Sequence, residues 1–187
     1  MKEPDFSLQP FYTENTLHDF RITGRIGRNL NKLTILYELS GPLKDLIIPP
    51  LSDEPARMER LWEETCFEFF LKEKDSDIYW EFNLSPSGDW NIYRFKTYRQ
   101  GMHEEQAFNS LAFSVQTYSD ILRLELEFDL EKIIPQDQAI NVAVCVVTKA
   151  VNSAMGYWAL VHTGLKPDFH RQDSFTIEVS NVRSGSC

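Results

Sequence analysis

The sequence has few cysteines, no clustered positive charge and no long apolar run, and each absence excludes a class of protein. The three cysteines, Cys66, Cys145 and Cys187, are an odd number without metal-ligand spacing, so we expect reduced thiols and neither a disulfide framework nor a metal site. A net charge of −9 argues against a nucleic-acid partner. Because no segment has the length of a membrane span or the apolar core of a signal peptide, we expect a cytoplasmic protein with no membrane partner.

Apolar and aromatic residues, by contrast, are abundant enough to build an ordered core. The chain is 42% hydrophobic and 13% aromatic, which is typical of a globular protein and not of a disordered one. Its 187 residues predict a single domain, 1–187. The acidic balance favours a neutral or cationic ligand, although it does not identify one.

Short segments with strand patterns follow one another along the chain, separated by turn residues. In one of them Leu122, Leu124 and Leu126 alternate with charged residues, which indicates a half-buried strand. The segments with such patterns are 20–28, 32–41, 64–71, 78–86, 90–98, 111–120, 121–130, 140–150, 156–164 and 174–180. Only short helical pieces are expected, near 55–62 and 129–134. This organisation predicts an all-β fold, an antiparallel β-sandwich, with a closed barrel as the alternative.

Two of the predicted strands carry acidic side chains among apolar ones. A period of two places Glu64 and Glu68 on the same side of one strand, LWEETCFEFFL, and Glu81 and Asn83 on the same side of the next, IYWEFNLSP. If these strands are neighbours, their polar side chains share one face of a sheet. Carboxylates and amides suit the hydroxyl pairs of a sugar, and a solvated outer face is the alternative explanation.

The four tryptophans bear on whether this face binds a ligand or is only solvated. Trp80 alternates with apolar residues and is expected in the core. Trp62, Trp90 and Trp158 stand near the ends of predicted strands, where an indole either closes the core or offers a stacking surface to a ligand.

Three blocks of the sequence resemble the pattern of DOMON-like domains. They are LWEETCFEFFL, YWEFNLSPSGDWNIYRFKTYRQGM and YWALVHTGLKPDFHRQDSF, and the resemblance extends in order over nearly the whole chain. These domains form a superfamily with family 9 carbohydrate-binding modules, and this subgroup is labelled by similarity to UDP-N-acetylenolpyruvoylglucosamine reductase. The resemblance implies a jelly-roll-like β-sandwich with a ligand site on, or at the rim of, one sheet. In its sugar-binding members, two tryptophans sandwich the sugar while charged residues bind its hydroxyls.

The resemblance also implies positions for such a site. Trp62 and Glu68 match the tryptophan and the strand carboxylate of the first block, Arg94 matches an arginine, and Trp158 is the second stacking surface. Together with the residues found from periodicity, the predicted ligand-binding set is Trp62, Glu64, Glu68, Glu81, Asn83, Arg94 and Trp158. No Gly-rich phosphate loop follows a strand, so we predict no flavin, no other cofactor and no reductase activity.

The function predicted from these features is non-catalytic binding of a small carbohydrate or a similar polar ligand. The alternative is a structural or protein-interaction β-sandwich without a small ligand, in which the glutamates are solvated or paired with Arg94 and Arg99. A haem-binding redox domain is less favoured, because its candidate axial ligands, Met102 with His162 or His170, include a residue in a loop.

An enzyme is also not favoured by the sequence. A hydrolase would need two carboxylates at a set separation, for which Glu68 and Glu81 are the candidates. Asp168 and His170 offer a possible acid–base pair, but the simpler interpretation is that they hold a loop near the end of the chain in place.

Overall fold

Most of the strand patterns correspond to strands in the computed structural model, which describes residues 4–12 and 19–179. In chain order these strands are β1 (Asp5–Ser7), β2 (Gln9–Pro10), β3 (Arg21–Asn29), β4 (Lys32–Ser40), β5 (Cys66–Glu73), β6 (Tyr79–Leu84), β7 (Trp90–Phe95), β8 (His103–Glu104), β9 (Phe113–Thr117), β10 (Ile121–Asp129), β11 (Ile140–Lys149), β12 (Met155–Ala159) and β13 (Ile177–Val179). The third cysteine, Cys187, lies outside the described residues.

Helical structure is confined to short 3₁₀ turns in the described part of the chain. They are Leu43–Asp45, Leu61–Glu63, Leu130–Lys132 and Gln172–Ser174. The second and third fall in the two regions where the sequence predicts helical pieces. No helix within the described ranges has the length and apolar content needed to cross a bilayer.

The strands form two antiparallel sheets. One sheet has the order β1-β3-β4-β10-β9, and the other has the order β2-β12-β11-β5-β6-β7-β8, with β13 also paired to β11. The predicted hairpin is present as β3 and β4, with Asn29 opposite Lys32 at its turn. The antiparallel β-sandwich is therefore confirmed, and the closed-barrel alternative is wrong.

The core lies between the sheets and follows from the period of two. Leu122, Leu124 and Leu126 of β10 are fully buried there, while the charged residues between them point away. Phe69 of β5 stacks on Phe82 of β6, with ring centroids 4.4 Å apart. Burying such side chains contributes about 1.5–3 kcal/mol each, so this layer is the main source of stability.

The outer face of the larger sheet is also covered, and this is where the polar residues of β5 and β6 emerge. Phe70, Tyr79 and Phe95 form a second aromatic cluster on that face, and the Tyr79 and Phe95 rings stack with centroids 4.7 Å apart. Phe175, from the segment that follows β12, packs edge-on against Phe70 and Tyr79. The strand of residues 66–73 therefore has two buried faces, which explains why it carries so few solvated side chains.

Candidate functional site

Two buried carboxylates lie on the outer face of the larger sheet, and strand pairing brings them together. In the β5–β6 register, Glu68 is opposite Asn83, and Phe70 is opposite Glu81. Glu68 and Glu81 are therefore diagonal neighbours across the two strands, with about 7–8 Å between their Cα atoms. Glu68 is only 3% exposed and Glu81 only 5%. The condition set out from the sequence, that these two strands are neighbours, is therefore met.

A cavity of about 350 Å³ opens above the two carboxylates. This volume is at the lower end of the range for small-molecule sites, about 300–1,000 Å³. Its aromatic walls are Trp62, Phe70, Phe95, Tyr157 and Phe169. Its polar lining is Glu68, Glu81, Arg99, Asp168 and His170. The cavity thus has an acidic floor between aromatic walls.

Glu68 has an incomplete set of hydrogen bonds. Its Oε2 accepts a weak bond from the Cys145 thiol, with an Sγ–O distance of 3.8 Å. Its Oε1 is buried and makes no hydrogen bond within the described part of the chain. Burial raises the pKa of the Glu68 carboxyl well above its usual value, and the nearby Glu81 charge raises it further. An unsatisfied buried acceptor costs stability, so this group needs an explanation outside the fold itself.

Glu81 is better satisfied on one oxygen than on the other. Its Oε1 accepts a hydrogen bond from Asn83 Nδ2 at 3.0 Å, and its Oε2 lies 3.8 Å from His170 Nε2. Burial raises the pKa of Glu81 to about 7, although the Asn83 hydrogen bond and the positive charge of Arg99 both oppose that rise. Near neutral pH this carboxyl therefore exists in both protonation states.

The hydrogen bonds around Tyr79 lead to one tautomer of His170. The main-chain N–H of Arg99 donates to the Tyr79 hydroxyl oxygen at 3.1 Å, and we assign the hydroxyl proton to the 2.9 Å contact between this oxygen and His170 Nδ1. The remaining ring proton is then on Nε2, the nitrogen that faces Glu81. Burial, together with the positive charge of Arg99, lowers the pKa of His170 to about 4, although the Asp168 carboxylate opposes that shift. The imidazole is therefore neutral near pH 7.

We expect His170 to remain a neutral Nε2–H imidazole from about pH 5 to pH 8, because its pKa is about 4. Nitrogen and carbon NMR shifts of the ring report both the tautomer and the titration. In a Tyr79→Phe variant, Nδ1 loses its donor and the Nδ1–H tautomer becomes populated. A His170 ring that gains its second proton near the usual histidine pKa would contradict the described geometry.

The loop that carries His170 is held by Asp168. The Asp168 carboxylate accepts hydrogen bonds from the Tyr98 hydroxyl and from the Arg99 guanidinium, the latter at 2.9 Å. It also accepts one from the main-chain N–H of His170. The interpretation of Asp168 as a loop anchor is confirmed, and the same anchor places His170 in the cavity wall.

Four of the predicted site residues come together at the cavity. Trp62, Glu68 and Glu81 line it directly, and Asn83 supports Glu81 from the same strand. Trp62 lies just before β5 in a 3₁₀ turn and contacts Tyr93 edge-on, with centroids 5.7 Å apart. One aromatic wall and both floor carboxylates are therefore residues that the sequence pointed to.

Three of the predicted site residues do not reach the cavity. Glu64 pairs with Lys149, with a 2.7 Å separation between Oε1 and Nζ. Arg94 lies on the opposite side of the sheet, with its guanidinium over the Trp80 ring. Trp158 is 2% exposed and belongs to the core between the sheets. Arg94 and Trp158 face away from the cavity because side chains alternate along a strand. Each stands next to a residue whose side chain faces the outer side of the sheet.

The candidate haem ligands do not all lie at the cavity. Met102 and His170 line the cavity, whereas His162 Nε2 hydrogen-bonds to the main-chain oxygen of Gln9 instead. Among the described residues, no group of three or more His, Cys, Asp or Glu side chains has the arrangement of a metal site.

The sequence did not point to Tyr157 or Phe169 as cavity residues, and it pointed to Arg99 only as a residue that could neutralise the acidic face. Tyr157 is paired with Val147 of β11, which also lines the cavity, so it stands where Trp158 was expected. The alternation of side chains along β12 indicates that Tyr157 and Trp158 face opposite sides of the sheet. Phe169 and Arg99 lie in loops, where no periodicity indicates which way a side chain points.

Comparisons with known proteins agree with this architecture. No family model matches the sequence, and no curated protein matches it either. Among solved structures, the chain is similar to a provisionally assigned carbohydrate-binding protein from Bacteroides uniformis ATCC 8492, with a TM-score of 0.72, 12% identity, and coverage of 96% of this chain and 86% of that one.

It is also similar to a family 9 carbohydrate-binding module from Caldicellulosiruptor kristjanssonii. The structure of that module with cellotriose gives a TM-score of 0.57 at 13% identity, covering 97% of this chain and 84% of the module. The structure with glucose gives 0.56 at 14% identity, covering 99% and 87%. At these identities the comparison establishes a shared fold.

Proposed function

We propose that this protein is a DOMON-like, non-catalytic binding domain that takes a small carbohydrate or a similar polar ligand into the cavity above Glu68 and Glu81, and that it works in the cytoplasm. The observation that carries the proposal is the buried Glu68 Oε1, an acceptor without a hydrogen bond in the described structure, at the floor of a cavity with aromatic walls. A ligand hydroxyl would supply the missing partner.

The aromatic walls of the cavity suit the apolar face of such a ligand. The rings of Trp62 and Tyr157 line the cavity and can pack on the apolar face of a pyranose ring. The shared fold with carbohydrate-binding modules supports the same interpretation, since those modules were solved with cellotriose and glucose. Polar floor and aromatic wall together match the two chemical sides of a sugar.

The described contacts favour binding over the structural alternative. In a purely structural face, arginines would neutralise the carboxylates. Here Arg99 pairs with Asp168, and the nearest ring nitrogen to Glu81 belongs to a neutral imidazole.

Titration with glucose and cello-oligosaccharides, followed by tryptophan fluorescence, tests the proposal. A Trp62→Ala variant is expected to lose at least about tenfold in affinity, or about 1.4 kcal/mol, because one stacking surface disappears. Its free energy of unfolding should change little, since Trp62 is only partly buried.

Tyr118→Ala is the matched control, because Tyr118 is an exposed aromatic residue that follows β9 in the other sheet. It should bind as the unmodified chain does. Equal affinity in the Trp62→Ala variant, or no binding of any soluble sugar by the unmodified chain, would overturn the proposed site.

A further inference from the structure

The floor of the cavity has more hydrogen-bond acceptors than donors. Glu68 Oε1 has no donor within the described residues, and Glu68 Oε2 has only a thiol at 3.8 Å. The second oxygen of Glu81 lies 3.8 Å from His170 Nε2, which is too long for a hydrogen bond. Two adjacent carboxyl groups therefore have unused acceptor positions, and both belong to the cavity lining.

No positive charge of the described chain neutralises this pair directly. The groups around Glu68 are the thiols of Cys66 and Cys145, the hydroxyl of Tyr37, and Glu81. None of these is a cation, and none of them donates a strong hydrogen bond to the carboxyl.

The groups around Glu81 are equally poor in charge. They are the Asn83 amide, the neutral His170 ring, the hydroxyls of Tyr79 and Tyr93, the thiols of Cys66 and Cys145 and, at longer range, Arg99. Arg99 is the one guanidinium or ammonium group in the described lining, and its guanidinium is paired with Asp168 at 2.9 Å. The floor therefore lacks a counter-ion of its own.

The walls above this floor are of the kind that accommodates a cation. Trp62, Phe70 and Tyr157 present aromatic rings to the cavity. Ring faces attract ammonium groups most strongly where water is excluded, and carboxylates complete such sites. The same side chains would also pack against the carbon skeleton of a pyranose.

We propose that the ligand of this cavity is an amino sugar, a sugar ring with a protonated primary amine that donates hydrogen bonds to Glu68 and Glu81. This inference rests on the proposed function and makes it more specific. One ammonium group has three donors, enough to reach Glu68 Oε1 and Glu81 Oε2 together and to supply the positive charge that the floor lacks.

An ammonium ligand has a consequence that a neutral sugar does not have. The free site holds protons on its carboxyls near neutral pH, because burial raises the pKa of Glu68 and brings that of Glu81 to about 7. A bound cation favours the ionised carboxylates, so binding releases protons into the buffer. A neutral sugar binds by hydrogen bonds to either form and releases few or none.

Calorimetric titration of the full chain tests the inference with matched pairs of ligands. Glucosamine, galactosamine and mannosamine are each compared with the parent hexose and with the N-acetylated form, in two buffers of different ionisation enthalpy. For at least one pair we expect the amine to bind at least about tenfold more tightly than both neutral sugars. Only the amine should show an enthalpy that depends on the buffer.

Two variants locate the effect. Glu68→Gln keeps the shape of the side chain and removes its charge, so it should lose most of the preference for the amine while retaining binding of the neutral sugars. Glu127→Gln, on the other sheet and exposed beside Lys32, should leave the preference unchanged.

The remaining outcomes separate this inference from the proposed function. If neutral hexoses bind as tightly as their amines, or if the preference persists in Glu68→Gln, the inference is wrong and the proposed function stands. If no sugar binds in either form, both are wrong.

Discussion

Replacing Glu68 by Met is expected to raise the free energy of unfolding by about 1–3 kcal/mol at pH 7 and to abolish sugar binding. Glu68 is 3% exposed, and its Oε1 has no hydrogen bond in the described structure. Met has a similar volume, needs no hydrogen-bond donor and tolerates an irregular site beside Cys66 and Cys145. Denaturation in urea and sugar titration measure the two effects on the same sample.

The size of this gain should depend on pH in a definite direction. Burial raises the pKa of Glu68 in the folded protein above its ordinary value of 4.5. The contribution of this group to stability is therefore complete below that value and is lost as the pH rises through the folded-state pKa. We expect the advantage of the Met variant to be smaller at about pH 4 than at about pH 7.

Glu127→Met is the matched control for this experiment. Glu127 is exposed and paired with Lys32 on the surface of the other sheet, so replacing it should change the free energy of unfolding by less than about 1 kcal/mol. A Glu68→Met variant that is less stable than the unmodified chain at pH 7 would show that Glu68 is satisfied in solution.

Replacing Trp158 by Ala is expected to lower the free energy of unfolding by about 3–5 kcal/mol. The indole is 2% exposed in the core between the sheets, and its Nε1 donates to Thr148 Oγ1 at 3.1 Å. Truncation therefore leaves a cavity and removes a buried hydrogen bond. Thermal or urea unfolding measures this loss.

A Trp158→Phe variant distinguishes the role of Trp158 in core packing from a role in sugar binding. Phe fills much of the space, so this variant should fold, with a smaller loss of stability, and should bind sugar with unchanged affinity because Trp158 lies outside the cavity. Loss of binding in a folded Trp158→Phe variant would show that the second predicted stacking surface is real and that Tyr157 does not replace it.

Much of the fold could be predicted because alternation along strands is a local property. The hairpin of β3 and β4 and the half-buried pattern of β10 are both visible in the sequence and present in the structure. The floor of the site was predictable for the same reason. Glu68 stands between the core residues Phe67 and Phe69, and Glu81 stands between Trp80 and Phe82. Consecutive strands also commonly pair.

The alternation of side chains, applied more strictly, would have excluded two of the predicted site residues, Arg94 and Trp158. In β7, Tyr93 and Phe95 face the covered outer side, so Arg94 between them must face the other way. In β12, Tyr157 and Trp158 cannot share a face, and pairing with β11 places Tyr157 on the side of the cavity. The resemblance pointed to residue types, whereas the alternation of side chains decides their direction.

The loop residues of the site could not be predicted from the alternation of side chains. Arg99 has a φ of +53°, and Asp168 meets it from a segment 69 residues later in the chain. Neither position belongs to a periodic pattern, and only tertiary contacts bring the two together. The neutral state of His170 depends on the same contacts, so it was also inaccessible from the sequence.

The acidic floor of the site and much of its wall come from separate parts of the chain, and this separation has an evolutionary consequence. The acidic floor comes from one pair of neighbouring strands, β5 and β6, whereas Tyr157, Phe169 and His170 come from β12 and the segment after it. Substitutions or insertions in that later segment can reshape the wall without disturbing the strand pair beneath it. Descendants of this chain could therefore change what they recognise while keeping the same carboxylates.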